Sequence, residues 1–163
     1  MSPETIFRIH LVLGYVACLL WFNTYILPKL RSMSRFDAQR VIATVNSFRF
    51  FGLVFILPGV VGPHLPAGFA RFAAYGDFAT GVLALLALLS VSKRPLFWFF
   101  AVAFNVVGAA DILADYYHAI RFNLPAMPGQ LGATYVIPVI YVPMLMIMHF
   151  AAFYWLLRRR GNS

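Results

Sequence analysis

Residues 103 to 118, which read AFNVVGAADILADYYH, place ionisable side chains inside an apolar run of membrane-spanning length. A carboxylate at the centre of a bilayer costs about 2.5–3.5 kcal/mol, so such groups usually face a bundle interior or a wet cavity. Polar and small residues recur here at every third or fourth position, which places them on one face of a helix. We therefore expect an inward-facing stripe made of Asn105, Gly108, Asp111, Asp115 and His118.

Two chemical interpretations of this stripe remain open. His and carboxylate groups are ligands for zinc, iron, copper or manganese, and side chains three residues apart on a helix can share an ion. The candidate metal ligands are Asp111, Asp115 and His118, and the two aspartates are also the candidate catalytic or proton-carrying acids. The alternative is that these carboxylates only pack between helices as hydrogen-bonded polar groups. We expect Asp77 to join Asp111, Asp115 and His118 around one cavity that opens to the outer side.

Asp111 is predicted to be the decisive carboxylate. It lies roughly 13 Å below the outer end of its helix, too deep for its side chain to reach the interface. Asp115 is one turn nearer the surface, and two carboxylates at this spacing repel each other when both are charged. We therefore expect Asp111 to hold a proton unless His118, Arg8 or a bound cation compensates its charge.

Two further residues are candidates for a second polar layer nearer the cytoplasmic side. Arg49 lies about eight residues into an apolar run, where it either extends to the headgroups or binds an anion such as a lipid phosphate or a propionate. His149, on the last apolar run, is either a hydrogen-bonded interior group, an axial ligand or a proton carrier. The sequence predicts that the two layers are too far apart for a single ligand to contact every member.

Composition identifies the class of protein that carries these residues. The 163 residues are 62% hydrophobic and 11% charged, whereas soluble domains are about 45–50% apolar and about 25% charged. This predicts one all-α integral membrane domain over residues 1–163. The formal net charge of +8 resides in short connections, which indicates topology signals rather than nucleic-acid contacts. The expected partners are the lipid bilayer and, beyond it, other membrane subunits or further copies of the chain.

Five apolar runs reach the length of about 20 residues that a membrane span needs. They cover about 6–27, 41–61, 69–91, 96–120 and 134–157. Pro28 is expected to end the first, Pro138 and Pro143 to kink the last, and Ser34 with Asp37 to cap a helix that begins near Arg35.

The distribution of basic residues predicts the orientation. Lysines and arginines concentrate in the segments that follow the first, third and fifth runs: Lys29, Arg31, Arg35, Arg40, Lys93, Arg94, Arg158, Arg159 and Arg160. Because basic residues are retained on the cytoplasmic side, the N-terminus is predicted outside and the C-terminus in the cytoplasm.

The first apolar run resembles a known family. The segments RIHLVLG (8–14) and ILPKL (26–30), with Trp21 between them, are similar to the first helix of the small membrane protoporphyrinogen-oxidase family. The resemblance implies that His10 is a heme ligand and that heme is a candidate cofactor. The segments SFRFFGLVFILPG and AAYGDFATG resemble uncharacterised bacterial multi-pass proteins, which implies a bacterial inner membrane.

The residues thus predict an interior polar cavity that binds a cofactor, a divalent metal or a small substrate, with redox or proton chemistry as its activity. The candidate cofactor-binding residues are His10, His118, His149 and Arg49. The alternative is a non-catalytic accessory subunit or a small transporter. No Walker motif, nucleophile elbow or dinucleotide fingerprint is present, so the sequence leaves open whether the protein is an enzyme.

Overall fold

A computed structural model describes residues 1–157, and within them the chain forms helices and no β-strand. We number the principal helices α1 to α5: Pro3–Ser32, Arg35–Ser47, Ala67–Leu89, Arg94–Arg121 and Ile137–Leu157. Part of the orientation prediction rests on Arg158, Arg159 and Arg160, which lie outside the described residues.

Four of these helices, α1, α3, α4 and α5, are long and apolar enough to cross a membrane. The predicted second span, 41–61, is not among them, because the α-helical winding stops at Ser47 and a 3₁₀ helix follows over Phe48–Ile56. In a 3₁₀ helix every third residue lies on one line. The buried residues of this segment are Arg49, Gly52 and Phe55, so the tighter winding directs all three toward the bundle.

Two prolines inside the apolar runs, Pro28 and Pro143, follow π-helical turns and do not end a helix. The prediction that Pro28 ends the first span is wrong, because a π turn at Phe22–Ile26 precedes it and the helix continues to Ser32. A second π turn at Ile137–Tyr141 precedes Pro143 in α5. A proline clashes with the carbonyl four residues earlier. The wider π winding displaces that carbonyl, and the helix can continue.

The N-terminus of α2 follows the prediction. The Ser34 side chain accepts a hydrogen bond from the Asp37 amide at 3.1 Å and donates to its carboxylate at 2.6 Å. These bonds satisfy a backbone donor that the first turn of a helix leaves free. Helix α2 therefore begins at Arg35, at the same end of the bundle as the first residues of α4.

Two apolar clusters enclose the polar interior. One contains Phe36, Phe97, Phe104 and Trp155, and the other contains Phe7, Phe55, Phe69 and Leu124. Helix α1 is the least enclosed span: 11% of its most apolar window is buried in the protein, against 61% for α5. The bundle is therefore built around α2 to α5 and the 3₁₀ segment, with α1 packed on its outside.

Candidate functional site

The centre of the bundle is a fully buried arginine between two aspartates. Arg49 donates from Nε to Asp77 Oδ1 and from Nη2 to Asp111 Oδ2, both at 2.6 Å. Its Nη1 donates to the Gly108 carbonyl at 3.1 Å and to His149 Nε2 at 3.3 Å. A guanidinium carries five N–H donors in a planar fork, and here that fork connects the 3₁₀ segment to α3, α4 and α5.

Three glycines leave the space that this cluster occupies. A Cβ on Gly52 would lie 2.2 Å from Asp77 Oδ2, and a Cβ on Gly76 would lie 1.6 Å from Asp111 Oδ1. A Cβ on Gly108 would lie 2.7 Å from both Arg49 Nη1 and His149 Nε2. Any other residue at these three positions would displace a charged or hydrogen-bonded group, so the glycines belong to the site.

A hydrogen-bond chain continues from the arginine through buried side chains. Because Arg49 can only donate, His149 must accept on Nε2, and its Nδ1 then donates to Asn105 Oδ1 at 2.9 Å. Asn105 Nδ2 donates to Gln39 Oε1 at 3.3 Å, and Gln39 Nε2 donates to the Ala152 carbonyl at 2.8 Å. Every bond in the chain points the same way, and the arginine sets that direction.

Beside the carboxylates lies an apolar cavity of about 150 Å³. Asp77 and Asp115 are its only acidic lining residues among those described, and the remaining wall is apolar or aromatic, including Phe7, Phe69 and Tyr116. Asp115 Oδ1 is buried and has no hydrogen-bond partner within residues 1–157. An unpaired buried carboxylate oxygen is costly, which makes Asp115 the group most available to a ligand.

Comparison with known proteins gives one match. The model of a family described as "Domain of unknown function (DUF8737)" matches residues 6–157. The chain belongs to this family. No curated protein and no solved structure matches the chain.

In this DUF8737 chain Arg49 connects the two predicted polar layers. It lies beside His149 of the predicted cytoplasmic layer and contacts Asp77 and Asp111 of the outer layer directly. Its extension to the headgroups is excluded, because the side chain is fully buried. The anions that it binds are the protein's own aspartates. Arg49 is also the cation that compensates Asp111.

The predicted metal trio is not assembled in the DUF8737 chain. Within residues 1–157 no three His, Cys, Asp or Glu side chains come together in a way that could hold a metal ion. Asp111 is engaged by Arg49, and His118 donates from Nδ1 to the Ala114 carbonyl at 2.8 Å. The His118 ring packs on Phe72, with 4.4 Å between centroids.

The predicted common cavity is only partly present in the DUF8737 chain. Asp77 and Asp115 line the cavity, but Asp111 and His118 do not. Asp111 turns toward the arginine instead. The catalytic and proton-carrying roles of Asp111 and Asp115 stay predictions.

The three predicted heme ligands of the DUF8737 chain lie apart. Both ring nitrogens of His149 are engaged, and His118 packs against aromatic rings. His10 is exposed, and its Nδ1 contacts the Tyr135 hydroxyl at 2.8 Å. Of the three, His10 lines an open groove, which also contains Gly129 and Gly132.

Sequence analysis did not identify Gln39, Gly52 or Gly76 as part of the site. Gln39 lies in the first turns of α2, before the apolar run 41–61 begins, so hydropathy alone does not mark it as an interior residue. A sequence signal was present for the glycines, since Gly76 directly precedes Asp77 and Gly108 lies three residues before Asp111.

Proposed function

We propose that this protein is a multi-pass membrane protein that binds a small molecule in the cavity beside Asp115. The observation that carries the proposal is the buried, unpartnered Oδ1 of Asp115 in a wall that, apart from Asp77, is apolar or aromatic. Ligand sites in proteins are mostly apolar with a few polar groups that fix orientation. The cavity has that composition.

The charge around the cavity favours a ligand that carries a cation or a hydrogen-bond donor. Within residues 1–157, Arg49 is the single buried Lys or Arg, and it faces three aspartates, Asp77, Asp111 and Asp115. If all were ionised, two negative charges would remain in a low-dielectric interior, which is costly unless a proton or a cation balances them. An amine placed against Asp115 would supply both a positive charge and a donor.

The volume limits the size of the ligand's apolar part. A dry engineered cavity of about 150 Å³ holds one benzene molecule, and the cavity here has the same volume, about 150 Å³. A single aromatic ring or a short alkyl chain with one amine therefore fits the available space. Larger molecules would have to extend past Leu124 and Pro125, which form part of the wall.

Ligands of matched size test this proposal. We would measure binding of 4-fluorobenzylamine, 4-fluorotoluene and 4-fluorobenzoate to the full chain in lipid nanodiscs by ¹⁹F NMR. A hydrogen bond to a charged group contributes about 1.5–3 kcal/mol, so Asp115→Asn should weaken amine binding about 10- to 100-fold and leave fluorotoluene binding unchanged.

The matched control removes a carboxylate that lies away from the cavity. Asp37→Asn, in an exposed first turn, should bind all three compounds as the wild type does. Equal amine affinity of wild type and Asp115→Asn would refute the proposal, as would preferential binding of fluorobenzoate.

We propose five spans with the N-terminus outside, in a bacterial inner membrane. The four long apolar helices and the helical Arg35–Ile56 segment support this number, and the basic connections support the orientation. Reporter fusions at Pro125 and at Ser163 should report opposite sides. The same side for both would contradict the topology.

A heme on His10 is a second proposal, supported by the resemblance of the first helix and by the open groove that His10 lines. The absorption spectrum of the purified protein tests it. A Soret band that is lost in His10→Ala but kept in His64→Ala would support heme. A colourless protein from heme-replete cells would remove the proposal.

The alternative is that the protein is an accessory subunit or forms a homo-oligomer. The low burial of α1 favours this alternative. Its outer face carries exposed Val12, Val16 and Leu20, which a partner helix could cover. Disulfide crosslinking of Leu20→Cys in a Cys18→Ser background should then trap a larger species in native membranes. A chain that stays uncrosslinked would favour a monomer whose α1 faces lipid.

A further inference from the structure

Three arginines at one end of the bundle rest on aromatic rings, and of the three only Arg40 also pairs with a carboxylate within residues 1–157. The Arg94 guanidinium lies 3.6 Å from the centroid of the Phe36 ring, and Arg40 lies 5.7 Å from the same ring. Arg35 lies 4.9 Å from the Trp98 ring centroid. Stacking on an aromatic face orients a guanidinium while leaving its N–H edge free to bind an anion.

The nearby acidic charge is too small to neutralise these arginines. Asp37 pairs with Arg40 at 3.2 Å and accepts a hydrogen bond from Ser34. The Ser34 hydroxyl, with a smaller contribution from Arg40 and Arg94, holds the pKa of the Asp37 carboxyl below its usual range. Three arginines face one carboxylate, and an excess of two positive charges remains. Arg35 and Arg94 form no carboxylate pair within residues 1–157.

Arg35 and Arg94 line one groove of about 710 Å³ that continues along apolar side chains. Arg94, Trp98 and Val102 lie at successive turns on one face of α4, a distance of about 12 Å along the helix. Leu156 of α5 lines the same groove, and its carbonyl accepts a hydrogen bond from Arg35 Nη2. The groove therefore changes from cationic at its end to apolar toward the middle of the bundle.

We propose that this groove is a binding site for an anionic phospholipid. The phosphate would lie between the guanidinium groups of Arg35 and Arg94, and an acyl chain would follow Trp98 and Val102 past Leu156. Basic pockets between membrane helices bind anionic headgroups in this way. The apolar continuation over about two helical turns is what distinguishes a lipid from a free phosphate ester. The site is separate from the cavity at Asp115.

The test is lipid binding to the full chain in detergent, followed by native mass spectrometry. The probes are phosphatidylglycerol, phosphatidylcholine with the same acyl chains, and glycerol 3-phosphate as the soluble phosphate. We expect wild type to prefer phosphatidylglycerol at least tenfold over phosphatidylcholine. Arg35→Gln with Arg94→Gln should bind phosphatidylglycerol about 30-fold more weakly. If this double variant is not monodisperse, Arg94→Gln alone should show about a fivefold loss.

The matched control is Arg71→Gln with Arg121→Gln, which removes two exposed arginines near the other end of the bundle. It should retain the wild-type preference. Val102→Trp, at an exposed position, keeps both guanidinium groups but fills the acyl path, so it should weaken phosphatidylglycerol binding about tenfold.

Three results would overturn the proposal. The first is equal binding of phosphatidylglycerol by wild type and by the arginine variants. The second is displacement of the lipid by glycerol 3-phosphate, which would assign the arginines to a soluble phosphate. The third is unchanged binding by Val102→Trp, which would show that no acyl chain follows α4.

Discussion

Replacing Gly76 by alanine sets two opposed energies against each other. In a helix interior alanine is favoured over glycine by about 0.8–1.0 kcal/mol, so propensity alone predicts a more stable protein. The new Cβ, however, would lie 1.6 Å from Asp111 Oδ1 and 2.4 Å from its Cγ. The carboxylate must then move, and its other oxygen is the one that accepts from Arg49 at 2.6 Å.

The relative sizes of these two energies decide whether Gly76→Ala stabilises or destabilises the protein. Breaking a buried ion pair costs about 3–5 kcal/mol because a charge is left uncompensated, several times the propensity gain. We expect Gly76→Ala to lower the free energy of unfolding by about 2–4 kcal/mol, measured by titrating the detergent-solubilised protein with SDS. Gly129→Ala is the control, since no atom lies within 4 Å of its Cβ position, and it should change stability by less than about 0.5 kcal/mol.

A double-mutant cycle tests whether the clash with Asp111 causes the loss of stability in Gly76→Ala. In an Asp111→Ala background the clashing carboxylate is gone, so Gly76→Ala should cost nothing or stabilise the protein slightly. Wild-type stability of the single variant would refute the reasoning, because the contact with Arg49 would then contribute little. A cost that persists in the Asp111→Ala background would refute it too, since the strain would lie elsewhere.

Three further changes test other contacts by the same unfolding measurement. Arg49→Lys keeps the charge but replaces the planar fork by a single ammonium, so it should cost about 3 kcal/mol, and equal stability would argue against the need for a guanidinium that pairs with two aspartates at once. Gly14→Ala would place a Cβ 1.9 Å from the Val139 carbonyl oxygen and should cost about 1–3 kcal/mol by separating α1 from α5. Ser34→Ala removes the cap of α2 and should cost about 1 kcal/mol at pH 7. Because the folded-state pKa of Asp37 lies below its ordinary value of 3.8, the part of this difference due to the hydroxyl–carboxylate bond should be present above pH 3.8 and disappear as the pH falls through the folded value.

Local signals predicted much of the fold. The length and hydropathy of each apolar run placed α1, α3, α4 and α5 within a few residues of their observed bounds, because a helix in lipid must satisfy its backbone internally. The start of α2 followed from Ser34 and Asp37, since capping is also decided within one turn.

The site itself was not predictable from one helix at a time. The face of α4 was inferred correctly for Asn105 and Asp111, which are buried. The partner of Asp111 depends on Arg49, whose direction is set by 3₁₀ winding after Ser47. A hydropathy pattern does not report that change of winding. Pairing across three helices is a tertiary property, and periodicity along one segment carries no information about it.

The one-way hydrogen-bond chain bears on how protons could move in this protein. Proton hopping needs each member to accept on one side and release on the other, but an arginine does not give up its proton at any physiological pH. The polar chain from Arg49 to Ala152 therefore does not conduct protons, although its side chains extend for about 15 Å along α2 and the 3₁₀ segment. A proton on Asp115 therefore has no relay along the side chains that run from Arg49 to Ala152.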